Sequence, residues 1–163
     1  MRSITIGQTD DQPAVDIFYG VGYNTADGNG SLQDMNASVF VSDSLDLTNA
    51  TWTTKEISGA EVKSGSSNDD ARYSNSVATD INENLFAVGY SKRNGYVPEN
   101  GSAGNKIFVV TDAINPTATY LSGGIFFGGS SGEAKAVNNF NEFVGQIDAC
   151  LLYTSPSPRD LDL

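Results

Sequence analysis

Between Val77 and Gly89 short apolar runs flank one polar interruption, and the same pattern returns between Glu133 and Gly145. Val77, Ile81, Leu85, Phe86 and Val88 are β-branched, aliphatic or aromatic, the types that pleated, half-buried strands favour. Asn82-Glu83-Asn84 supplies the first interruption and Asn138-Asn139 the second. Asparagine tolerates left-handed backbone angles, and its amide bonds its own backbone two residues on, so each stretch predicts a tight β-hairpin. The two align without a gap: Ile81 falls on Val137, Asn82 on Asn138, Val88 on Val144 and Gly89 on Gly145, an offset of 56 residues. Gly89 and Gly145 predict a bulge or a close backbone approach near the strand end.

A weaker copy lies upstream, where Phe18-Tyr19-Gly20-Val21-Gly22-Tyr23 matches Leu85-Phe86-Ala87-Val88-Gly89-Tyr90. Ser38-Val39-Phe40-Val41 then precedes Asn49-Ala50-Thr51-Trp52, as Lys106-Ile107-Phe108-Val109 precedes Thr117-Ala118-Thr119-Tyr120. This alignment gives Trp52 and Tyr120 equivalent positions and a shared core role. Strands are predicted over 14–23, 38–42, 51–57, 106–111 and 117–121, with hairpins over 77–90 and 133–147. The alternating run Ser3-Ile4-Thr5-Ile6 is expected to close the sheet of a preceding unit. No segment has helical periodicity. The fold class is therefore all-β: repeated four-stranded antiparallel units forming an incomplete β-propeller-like fragment. A β-sandwich or open β array is the competing architecture. The β-repeat region covers 1–149, with units at roughly 14–57 and 74–121 and a truncated one at 133–149.

Charge and composition narrow the chemistry. The formal charge is −11, from 20 acidic and 9 basic residues, which repels phosphate backbones and points away from nucleic acid. The chain has no His, which removes the commonest general base, the usual zinc ligand and every Ser-His or Cys-His pair. With one Cys, Cys150, there is no internal disulfide. No apolar stretch reaches the length of a membrane helix, so no transmembrane segment is predicted. The first residues lack a hydrophobic signal core, so the protein is either cytosolic or starts upstream. Residues 150–160, CLLYTSPSPRD, resemble the translation of a transposase adapter used in preparing sequencing libraries. On that reading 150–163 is a non-native tail and the natural chain continues past Ala149.

Three constellations carry candidate chemistry. Asp27, Asn29, Ser31 and Asp34 place oxygens at near-alternating positions and could ligate calcium, a hard cation taking 6–8 oxygens. The full Asp-x-Asp-x-Asp-Gly pattern with a distal Glu is absent, and a plain polar loop is the simpler reading. Asn68-Asp69-Asp70 is a lesser candidate of the same kind. Glu83, Glu133 and Glu142 have the residue type of a carboxylate-based glycan hydrolase, although two of them fall in or beside hairpin turns. Tyr23, Trp52, Tyr90, Tyr96, Phe126 and Phe127 could form a sugar-stacking or protein-binding face, with burial in the core as the alternative. Gly128 to Gly132 lacks the Lys and helix of a phosphate loop. Asn36, Asn49 and Asn100 head glycosylation sequons that an Asn- and Ser-rich chain produces by chance.

The stretch from Leu121 to Gln146 resembles the HAF-type extracellular repeat. Gly123-Gly124, Ser131, Ala134, Ala136-Val137-Asn138 and Val144-Gly145 match that pattern, as do Asp80-Ile81-Asn82 and Val88-Gly89-Tyr90 in the earlier copy. The His-Ala-Phe of that repeat is replaced by Ser38-Val39-Phe40 and Lys106-Ile107-Phe108, and its turn glycine by Leu85 or Asn141. To Ala149 the chain looks like a related family of uncharacterised exported proteins from marine gamma-proteobacteria. The resemblance implies a periplasmic or extracellular location and no known reaction. The partner is unknown, with a glycan or a protein at the cell surface as the candidates. The sequence thus reads as a non-catalytic binding or structural scaffold. A calcium-stabilised adhesion module and a glycan hydrolase are the alternatives.

Overall fold

The computed structural model describes residues 1–26, 34–63, 71–94 and 98–149. Eleven strands and no helix lie among them: β1 (Ser3–Gln8), β2 (Asp16–Ala26), β3 (Asp34–Ser42), β4 (Trp52–Glu56), β5 (Val62–Lys63), β6 (Ala71–Ile81), β7 (Ala87–Arg93), β8 (Asn105–Val110), β9 (Thr119–Tyr120), β10 (Gly132–Val137) and β11 (Phe143–Ile147). They form three antiparallel sheets of order β1-β2-β3-β4, β5-β6-β7-β8-β9 and β10-β11, each strand beside its chain neighbour. The all-β expectation holds. No closed barrel or propeller is present among the described residues.

Two expectations need correction. The run at Ser3–Ile6 does not close a preceding sheet: it belongs to β1, which pairs with β2 from Ser3↔Val21 to Gln8↔Asp16. Trp52 and Tyr120 are also not in equivalent register. Tyr120 pairs with Phe108, whereas Phe40 pairs with Thr54 and Trp52 with Ser42. Trp52 instead stacks on Phe18, with ring centroids 6.4 Å apart. Tyr120 lies between Tyr73, at 5.2 Å, and the edge of Phe108, at 6.0 Å. A two-residue slip keeps the same sheet face, so alternation could not reveal it.

The hairpins β6–β7 and β10–β11 share one geometry. Ala78 pairs with Gly89 and Asp80 with Val88; Ala134 pairs with Gly145 and Ala136 with Val144, with a register shift at the same place in both. In the turns, Asn82 Oδ1 accepts the N–H groups of Asn84 and Phe86, and Asn138 Oδ1 those of Phe140 and Glu142. Leu85 and Asn141 both adopt left-handed backbone angles, φ 57° and 62°. Both glycines answer to close approach: a Cβ on Gly89 would lie 2.3 Å from the Val77 carbonyl, and one on Gly145 would lie 2.3 Å from that of Glu133.

The core lies between sheets. Ile17, Tyr19 and Val21 of β2 and Ala37 and Val39 of β3 alternate with residues of the opposite face, so one side of the first sheet is apolar. Against it pack Ala78, Ile81, Ala87, Phe108 and Val110 of the second sheet. The second sheet's other face carries Val88 and Ile107, covered by Ala134 with Val137 and Phe143 of the last hairpin. Val88 is 0% exposed, while its counterpart Val144 is 66% exposed because no sheet among the described residues covers it. Over the second sheet Ser91 Oγ donates to the Ala60 carbonyl, and the Tyr120 hydroxyl lies within hydrogen-bond reach of both, 3.1 Å from Ala60 O and 2.9 Å from Ser91 Oγ. Burial holds the Tyr120 phenol neutral, its pKa pushed up to about 12 despite the opposing bond to Ser91.

Two predictions follow from this packing. Gly89→Ala will lower stability in chemical unfolding by about 1–3 kcal/mol, the usual cost of forcing atoms into a filled space. Tyr120 has a folded pKa above its unfolded value near 10, so its contribution is complete below pH 10 and fades as pH rises toward about 12. The stability gap between the parent and Tyr120→Phe, from urea midpoints, will therefore narrow from pH 9 to pH 12 relative to its neutral value.

Candidate functional site

Two features stand out where the sheets meet: a polar seam along the hairpin turns, and a groove at the other end of the hairpins. The seam begins with Asp80, placed at the β6 register shift. Its Oδ2 accepts the Val137 N–H at 2.8 Å, and its Oδ1 accepts the Ser3 hydroxyl at 2.5 Å and the Ile81 N–H at 3.0 Å. One carboxylate thus ties all three sheets together. Asn82, buried in its turn, donates through Nδ2 to the Asn138 carbonyl at 2.7 Å and to Asn141 Oδ1 at 2.6 Å. Glu83 N–H reaches Asn139 Oδ1 at 3.2 Å, and Asn84 Nδ2 reaches the Asn139 carbonyl at 2.7 Å. The same asparagines that shape each turn also join one turn to the next.

The groove, about 440 Å³, opens where β2 and β7 end. Tyr23 and Tyr90, matched in the sequence, both line it, and Tyr23 is 39% exposed. Asn75 enters it from the register shift between Ser74 and Val77, held at φ 47°. Bulges of this kind re-aim side chains, and left-handed angles cost Asn less than most residues. Asn75 Nδ2 bonds Ser74 Oγ at 3.3 Å. Asn105, opposite Lys92 on β8, donates Nδ2 to Glu133 Oε1 at 3.1 Å. Lys135 donates to the other oxygen of Glu133, and that bond raises the lysine's pKa. Arg2 and Lys92 also line it, with Met35 and Val77, and neither cation is ion-paired with a described carboxylate.

Two other clusters are closed or acidic. Tyr73 takes Arg93 over its ring at 5.0 Å and Lys106 at 5.9 Å, and Arg93 pairs with Glu99 at 3.5 Å. The cavity beside them, about 20 Å³, has little more room than a water needs. A cleft of about 520 Å³ near the β1–β2 connection is edged by Asp10, Asp11 and Asp43. No group of three or more metal-ligating acids, His or Cys occurs among the described residues.

The sequence candidates divide accordingly. Tyr23 and Tyr90 come together in the groove; Trp52 lies apart on Phe18, and Phe126 packs against the core of Val88, Ile107 and Ala134. Phe127 lines the small cavity by Tyr73. Glu133 sits in the groove, while Glu83 and Glu142 lie in the turns at the opposite end of the hairpins, so the three share no cleft. Asp27, Asn29, Ser31, the cluster at 68–70, Tyr96 and the tail at 150–163 lie outside the described residues; Asp34 begins β3. Asn36 is buried, which closes that sequon to a glycan, while Asn49 and Asn100 are exposed. The sequence did not single out Arg2, Asn75, Lys92 or Asn105; only their position around the paired tyrosines does.

The structure defines an all-β protein of meandering antiparallel sheets packed face to face, the last two joined by their hydrogen-bonded turns. The chain belongs to the family described as Protein of unknown function (DUF3466), which matches residues 7–160. No curated protein and no solved structure matches it. No helix among the described residues is long and apolar enough to cross a membrane.

Proposed function

We propose that this chain is a non-catalytic binding or scaffold module of an exported repeat protein, with its sheets stacked as the blades of a propeller-like array outside the cytoplasm. The observation that carries the reading is the seam: one hairpin design, with one turn chemistry, occurs twice and bonds to itself through Asn82, Asn138 and Asn141. A unit that recognises its own copy can be added serially, as blades and solenoid repeats are. The location follows from the HAF-type resemblance. The dispersal of Glu83, Glu133 and Glu142 supports a binding role over hydrolysis, which needs two carboxylates flanking one bond.

Two experiments test this. In a double-mutant cycle, Asn82→Ala and Asn141→Ala will couple by roughly 0.5–3 kcal/mol in urea unfolding, the range for side chains in direct contact. Additive losses would mean that the turns are not joined. A screen of the parent chain against glycan substrates will yield no released sugar; turnover abolished by Glu83→Gln or Glu142→Gln would replace the scaffold reading with a hydrolase.

A further inference from the structure

We propose that the groove between Tyr23 and Tyr90 binds a glycan by way of a carboxylated sugar, a uronic acid residue. This rests on the binding-module reading and gives it a ligand class. The two rings offer flat apolar surfaces with polar tips, suited to the C–H face of a pyranose whose hydroxyls must stay hydrogen-bonded. Around them stand the groups such a ring needs. Asn75 brings an amide from a bulge, braced by the Met35 N–H and Ser74 Oγ, and Glu133 presents a carboxylate already oriented by Asn105 and Lys135, ready to accept sugar hydroxyls.

Charge selects the carboxylated sugar over a neutral one. Acids outnumber bases 20 to 9 along the chain, yet Arg2 and Lys92 both line this groove without a described carboxylate to pair with. A guanidinium offers two parallel N–H groups that match the two oxygens of a carboxylate, and a lysine adds a point charge. The volume of about 440 Å³ falls within the roughly 300–1,000 Å³ typical of ligand sites. The net charge of −11 opposes long polyanions such as nucleic acid, so the ligand is a short glycan segment.

Isothermal titration calorimetry with galacturonate and glucuronate trimers tests the assignment, with xylotriose as neutral control and an oligothymidylate as the polyanion control. At least one uronate trimer is expected to bind the parent chain, at least tenfold more tightly than xylotriose and more weakly as salt rises. Arg2→Gln and Lys92→Gln are each expected to cost severalfold in affinity, and Tyr23→Ala tenfold or more, with unchanged melting temperatures. No heat from either uronate with folded protein would overturn the proposal. So would binding that survives both Arg2→Gln and Tyr23→Ala, or oligothymidylate binding as tight as that of the uronates. The Asn82–Asn141 coupling is measured without ligand, so a failed groove and a failed seam give separate results.

Discussion

A two-stranded hairpin with one apolar face is marginal in water, because it gains too little burial to offset the ordering of its backbone. That constraint governs this protein. Val88 disappears from solvent only because Ala134 and its hairpin lie over it, and Val144, at the matching position, is exposed because no sheet among the described residues covers it. Between the first two sheets Phe108 and Val110 meet the Ile17, Tyr19 and Val21 face of β2. Each sheet completes the core of its neighbour, so cohesion depends on neighbours along the stack.

Apolar burial alone is non-directional and would let one sheet slide over the next. The seam fixes the position. Asp80 accepts from Ser3 on one side and from the Val137 backbone on the other, and Asn82 spends its acceptor on its own turn and its donors on the following one. Buried amide donors are costly when unpaired, so sliding the hairpins apart takes from Asn82 Nδ2 both of its partners on the next turn. Leu85 shows what that alignment overrides: it holds a left-handed backbone at φ 57°, unfavourable for its type, while its side chain packs into the core between the first two sheets.

Much of this was legible because hairpins carry local signals. The Asn turns, the apolar alternation and the glycine before Tyr90 or Gln146 marked both hairpins and the close approach in each. Long-range choices left no such trace. Whether Ser3–Ile6 joined its own sheet or another depends on a partner beyond the 9–15 connection, which periodicity does not name. The register of Trp52 was misjudged because a slip of two residues leaves the face unchanged. The pairing of Tyr23 with Tyr90 was latent in the alignment, but the bulge that carries Asn75 beside them, and the arrival of Arg2 from the chain start, exist only in three dimensions. For Phe126 the sequence leaves an exposed face and the core both open, and its packing against Val88, Ile107 and Ala134 places it with the core.

If the seam aligns the sheets, the backbone N–H of Val137 is its most direct reporter, since it donates to a side chain of another sheet. Amide hydrogen exchange read by nuclear magnetic resonance measures it residue by residue. The account predicts that Val137 exchanges as slowly as the paired amides of β6 and β7, and that Asp80→Ala frees it while those amides stay protected. Exchange at the rate of an open amide in the parent chain, or protection indifferent to Asp80, would contradict it.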